Sequence, residues 1–103
     1  MMGLLSRKPA TESDQKITKE LTIVNRLGLH ARPSAMFVKV CSKHKADIWV
    51  EKDGEQVNGK SIMGLMMLAA GQGSKLKVTC EGVDADKALE EIEGLIQRRF
   101  DED

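Results

Sequence analysis

The stretch Asn25-Arg26-Leu27-Gly28-Leu29-His30-Ala31-Arg32-Pro33-Ser34 leaves one periodicity and enters another. Before it, from Lys19, Leu21 and Ile23 alternate with Thr22 and Val24, the period of a strand. After it, apolar residues recur at helical spacing, predicting a helix from Ala31 to Lys43. Ala31, Ala35, Val38 and Cys41 form its expected buried stripe, widened by Phe37, with Lys39 and Lys43 off that stripe. His30 therefore falls at a strand-to-helix junction. Pro33 suits a first helical turn, because its φ is preset and no N–H is needed there. Gly28 allows a tight turn before it. Unpaired backbone N–H groups and the positive end of the helix dipole then surround an imidazole and the Arg32 guanidinium, a favourable setting for a phosphoryl group.

Outward from this junction, the rest of the chain reads as alternating strands and amphipathic helices. Ala46 to Lys52 places Ile48 and Val50 on one face and Trp49 on the other. Asp53-Gly54 is a hairpin signal, with Glu55 to Asn58 as the return strand. Ser61 is a fair N-cap for a second helix through Leu68 or Ala69, ended by Gly71-Gln72-Gly73. Lys75 to Glu81 turns Leu76, Val78 and Cys80 inward. Ala88, Leu89, Ile92, Leu95 and Ile96 mark a last helix, with Asp84 and Asp86 at its positive end and Arg98 and Arg99 at its negative end. The order β-α-β-β-α-β-α, with one apolar face per strand, predicts an α+β open-faced sandwich. Its four-stranded, mostly antiparallel sheet is covered on one side by three helices. Residues 1–15 read as a flexible N-terminal arm and residues 16–103 as one domain. Asp101 to Asp103 reads as a solvated acidic tail, and His44 as an exposed residue at a helix end.

Composition limits the function classes. Of 103 residues, 41% are hydrophobic and 31% charged, ordinary for a soluble domain, and with 3% aromatics the core must be aliphatic and methionine. Sixteen basic and sixteen acidic residues cancel, which argues against nucleic acid as a partner. No apolar run approaches the ~18 residues of a membrane span, and Met1 to Lys8 has no apolar core long enough for a signal peptide. Cys41 and Cys80 have no metal-ligand spacing and fall on apolar faces, so they read as buried free thiols suited to a reducing cytoplasm. No metal or cofactor is expected.

Gly54-Glu55-Gln56-Val57-Asn58-Gly59-Lys60-Ser61 satisfies the P-loop pattern GxxxxGK[ST]. Three features weigh against it. Asp53-Gly54 is better read as a hairpin turn, and Gln56 to Asn58 as its return strand. The remaining strands are also too few for a nucleotide-binding core and end in no magnesium-binding aspartate.

Leu29-His30-Ala31-Arg32-Pro33, with Asn58-Gly59-Lys60-Ser61-Ile62-Met63-Gly64-Leu65 downstream, resembles HPr, the histidine-containing phosphocarrier of the bacterial sugar phosphotransferase system. The resemblance runs from about Lys16 to about Phe100. It implies that His30 Nδ1 takes a phosphoryl group from phosphoenolpyruvate-charged enzyme I and passes it to enzyme IIA domains. It also implies that Arg32 stabilises that group, and that the protein is a carrier without turnover of its own. Ser61 matches the position that HPr kinase/phosphorylase modifies in regulatory HPr proteins. The alternative function is therefore a regulatory HPr-like protein of carbon or nitrogen control, docking a transcriptional regulator through phosphorylated Ser61. Ile62, Met63 and Met66 are expected to dock partners, since flexible thioethers suit a surface that meets several proteins. Leu65 and Leu68 are expected in the core, and Lys39 as a rim charge for acidic partners. Where the family often has alanine after the proline, this chain has Ser34, whose hydroxyl is placed to reach the phosphoryl or cap the helix. A cytoplasmic monomer is expected, with no membrane or nucleic-acid partner.

Overall fold

The computed structural model describes residues 15–102; the expected N-terminal arm, but for Gln15, lies outside them. Four strands, β1 (Gln15–Thr22), β2 (Asp47–Lys52), β3 (Glu55–Asn58) and β4 (Lys75–Gly82), form one sheet in the order β1-β4-β2-β3. All three pairings are antiparallel. Three helices, α1 (Ala31–Ser42), α2 (Ile62–Met67) and α3 (Ala85–Gln97), supply the second layer, followed by a single turn at Arg99–Asp101. This is the predicted open-faced sandwich.

The core lies between the layers. Ile48 and Val50 of β2 and Leu76, Val78 and Cys80 of β4 are buried there with Leu65 and Leu68 and the apolar stripe of α3. On the outer face, Thr18 and Thr79 are joined through their hydroxyls at 3.0 Å, and Trp49 stands opposite Thr79 in the β2–β4 register. The Asp53-Gly54 turn has φ of 52° and 84°, the left-handed pair of a type I′ hairpin. Burial pushes the Cys41 thiol up to about 12 and the Cys80 thiol up to about 11, so both are protonated core residues.

Two expectations about these elements are corrected. Strand β1 starts at Gln15 rather than Lys19, because β4 offers it a full-length antiparallel partner, from Gln15 opposite Gly82 to Thr22 opposite Lys75. Helix α1 is rotated from the expected stripe. Pro33, Ser34, Phe37 and Cys41 are buried, whereas Ala31 and Ala35 are exposed. Phe37 removes far more apolar area from water than any alanine can, so it sets the centre of the buried face.

Candidate functional site

The junction between β1 and α1 is fixed by hydrogen bonds on every side. The Asn25 amide donates to the Gly28 carbonyl at 2.9 Å, and the Gly28 N–H donates to the Asn25 carbonyl at 3.2 Å. Leu29 donates its N–H to the Ala70 carbonyl at 2.9 Å, tying the junction to the loop after α2. Gly28 has φ of +71°, and a Cβ there would lie 2.4 Å from the Ala70 oxygen. No other residue fits without moving that loop. Ser34 is fully buried and donates its hydroxyl to the Leu29 carbonyl at 3.1 Å. The side chain therefore braces the backbone before His30; it neither caps α1 nor reaches outward.

His30 is the N-cap residue of α1, with extended backbone and no capping bond from its ring. Its carbonyl accepts the first helical bond, from Ser34 N–H at 3.0 Å. Pro33 has no N–H, so the N–H groups of Ala31 and Arg32 are the helix donors left at this end. The His30 side chain is 39% exposed and lines a shallow cleft with Leu27, Leu29, Ala69, Ala70 and Gly71.

Of the tail expected in solvent, Asp101 is exposed, Glu102 instead turns in to this site, and Asp103 lies outside the described residues. Arg99, Phe100 and Asp101 all have left-handed backbones, with φ of 57°, 54° and 58°. Each such residue costs about 1–2 kcal/mol. Phe100, wholly buried, offsets this cost, and the Arg99 guanidinium donates to the Val24 carbonyl at 2.7 Å. The turn delivers Glu102 to the histidine. Its Oε1 accepts from the Asn25 amide at 2.9 Å and lies 3.3 Å from His30 Nε2; its Oε2 lies 3.5 Å from an Arg32 guanidinium nitrogen. The Asn25 hydrogen bond, then that of His30, and the nearby Arg32 charge hold the Glu102 carboxyl below its ordinary range. Asn25 cannot be turned over, because its oxygen would then face two acceptors. Its Oδ1 is buried without a partner among the described residues, a cost of about 1–3 kcal/mol. Glu102 and Asn25 escaped the sequence reading. The one available signal was Phe100, an aromatic anchor inside a charged tail.

His44 is also corrected. Its side chain is 13% exposed, with Nδ1 3.3 Å from Asp84 Oδ2 and Nε2 2.8 Å from Glu91 Oε1. Asp84, the N-cap residue of α3, makes no side-chain bond to that helix. It accepts instead from the N–H groups of Lys45 and Ala46 at 3.0 and 2.9 Å. The Lys45 and Ala46 bonds lower the Asp84 carboxyl, and hydrogen bonds from Lys43 and then His44 lower that of Glu91.

The remaining predicted residues sit apart from His30. Ser61 caps α2, accepting the Gly64 N–H on its hydroxyl at 3.0 Å, at the end of that helix away from the His30 cleft. Ile62, Met63 and Met66 are exposed, Met63 by 74%. Met67, of the same methionine-rich helix, is exposed as well, and Leu27, not singled out from sequence, is exposed where it lines the His30 cleft. Lys39 is exposed on α1, about 14 Å along the axis from His30 at 1.5 Å per residue. The P-loop pattern is taken up by the hairpin: Glu55–Asn58 is β3, and the Lys60 ammonium donates to the His44 carbonyl at 2.9 Å. Among the described residues, no helix is long and apolar enough to cross a membrane.

Comparison with known proteins agrees with this architecture. A family model described as the PTS HPr component phosphorylation site matches residues 17–98. The phosphocarrier protein HPr of Pseudomonas aeruginosa is 49% identical over 84 residues, 81% of this chain and 93% of that protein. The HPr-like protein Crh of Halalkalibacterium halodurans is 42% identical over 82 residues, 80% of this chain and 98% of that protein. The crystal structure of HPr-C-His from Thermoanaerobacter tengcongensis superposes with a TM-score of 0.79 at 45% identity, covering 86% of this chain and 98% of that one. The chain belongs to the HPr family, the phosphocarrier proteins of the phosphotransferase system, whose phosphohistidine serves sugar transport.

Proposed function

We propose that His30 is the phosphoryl acceptor, charged by enzyme I at the expense of phosphoenolpyruvate and discharged to enzyme IIA domains. The observation that carries this reading is the arrangement of the ring: Nε2 faces Glu102, and Nδ1 makes no hydrogen bond among the described residues. The Nδ1 lone pair attacks phosphorus, and the bond to the donor breaks with its electron pair leaving on the donor. The N–H groups of Ala31 and Arg32 and the Arg32 guanidinium take up the phosphoryl charge. Replacing Arg32 by lysine forfeits the planar fork. The protein is a covalent carrier rather than an enzyme, and its partners supply the catalysis.

The exposed Ile62, Met63 and Met66, with Lys39 at the rim, form the surface that both partners meet in turn. A second reading, regulation through Ser61, is favoured by its place as the N-cap beside this surface. A phosphate there meets the positive end of α2 but adds a dianion where partners must dock. HPr kinase/phosphorylase is the modifying enzyme in this reading, and a transcriptional regulator the reader. Buried free thiols suit a cytoplasmic monomer, with residues 16–103 as the carrier domain and residues 1–15 as an arm.

The test is transfer from phosphoenolpyruvate through enzyme I to wild type and His30→Ala. Acid-labile phosphate on wild type alone is the expected result. A folded wild type that takes none overturns the carrier reading.

A further inference from the structure

We propose that Glu102 is a positioning residue for His30, fixing the ring proton on Nε2 and thereby leaving the lone pair on Nδ1. This rests on the reading of His30 as acceptor and adds what selects the reacting nitrogen. The observations are geometric. A carboxylate oxygen 3.3 Å from Nε2 can only accept, so the neutral ring that satisfies it carries its hydrogen on Nε2. That oxygen is held by the Asn25 amide, itself buried and fixed by the Gly28 carbonyl of the same junction. The left-handed turn at Arg99, Phe100 and Asp101 gives up regular backbone to bring the carboxylate there, and Phe100 in the core keeps it there. Two distant parts of the chain, the junction at Asn25 to His30 and the turn that ends at Glu102, thus converge on one nitrogen.

The role extends through the transfer. When the Nδ1 lone pair bonds phosphorus and the donor leaves with the bonding pair, the Nε2 proton stays in place. The ring becomes positive, and the Glu102 carboxylate lies against that charge. In the return direction the phosphorus–nitrogen bond breaks with its pair going back to Nδ1, and a neutral ring leaves. No proton moves in either direction, so no general base is required.

The experiment reads the ring directly and needs no donor protein. Long-range proton–nitrogen spectra of the unphosphorylated protein, recorded at a pH where the ring is neutral, give the ratio of the two tautomers of His30. Glu102 lies outside the sheet and the three helices, so Glu102→Ala and Glu102→Gln are expected to keep the fold, which the amide spectrum of each sample verifies. Glu102→Ala is expected to lower the ratio of Nε2–H to Nδ1–H by about tenfold or more, the effect of losing one charged hydrogen bond. Glu102→Gln, which keeps an acceptor oxygen for Asn25 and Nε2, is expected to recover most of that ratio. The rate of phosphoryl acceptance should follow the same order. An unchanged ratio in Glu102→Ala overturns the proposal, as does a Gln variant no better than Ala. If wild type accepts no phosphoryl while the ratio still shifts, the carrier reading fails and the positioning stands.

Discussion

Helix α1 carries a histidine at each end, and the two ends are built differently. At the N-terminal end, His30 is 39% exposed, with one ring nitrogen near a carboxylate and the other without a bond among the described residues. At the C-terminal end, His44 is 13% exposed, with each nitrogen on a different carboxylate. A doubly protonated ring serves Asp84 and Glu91 together, and a neutral ring serves only one of them. Lys43 pairs with Glu91, and the backbone of Lys45 and Ala46 fills the oxygens of Asp84. His44 is thus consumed in joining α1 to α3, whereas His30 keeps one nitrogen without a hydrogen bond among the described residues. In the proposed reading, reactivity comes from what a side chain is left unbonded to do, and the same residue type on the same helix supplies the control.

The contrast can be broken or sharpened by substitution. The largest effect is expected from His30→Ala: complete loss of acid-labile phosphate after incubation with enzyme I and phosphoenolpyruvate, with an unchanged amide spectrum. Next comes Gly28→Ala, which places a Cβ 2.4 Å from the Ala70 carbonyl at a positive φ. It should lower unfolding free energy in urea by about 3 kcal/mol or more. Phosphoryl acceptance should fall with it, because the loop that aims His30 must move.

His44→Ala should do the reverse of His30→Ala. It leaves two carboxylates facing each other, lowering stability by about 1–3 kcal/mol in urea while transfer to His30 proceeds at the wild-type rate. The same cluster makes a pH prediction. Asp84 and Glu91 have folded values below their ordinary ones, so their contribution is complete above the ordinary carboxylate range of about 4 and is lost as pH falls through the lower folded values. Urea midpoints of wild type should drop in acid below about pH 4, and those of His44→Ala should drop less. The smallest effect belongs to Ser34→Ala. It removes one hydrogen bond to the Leu29 carbonyl, worth about 1 kcal/mol, and should change transfer rates little.

How far the sequence disclosed this arrangement depends on the range of the contacts involved. The alternation of Ile48 and Val50, the Asp53-Gly54 turn and the Ser61 cap are written in neighbouring residues, and each forms as read. The face of α1 was misplaced because spacing alone does not weigh Phe37 above the alanines beside it. Glu102 lies 72 residues from His30 and 77 from Asn25, and no local pattern announces such a meeting. His44 likewise meets Glu91 across 47 residues. Both misses are tertiary closures by the C-terminal half onto the two ends of one helix. A motif locates a reactive residue, but the residues that hold it come from wherever the fold brings them.

One measurement addresses the central claim most directly: nitrogen spectra of both imidazoles, recorded before and after transfer from enzyme I, with coupling to phosphorus observed. A phosphorus-coupled Nδ1 in His30, with both His44 nitrogens unmoved, is the predicted outcome. Phosphorus on His44, or on Nε2 of His30, would contradict the account.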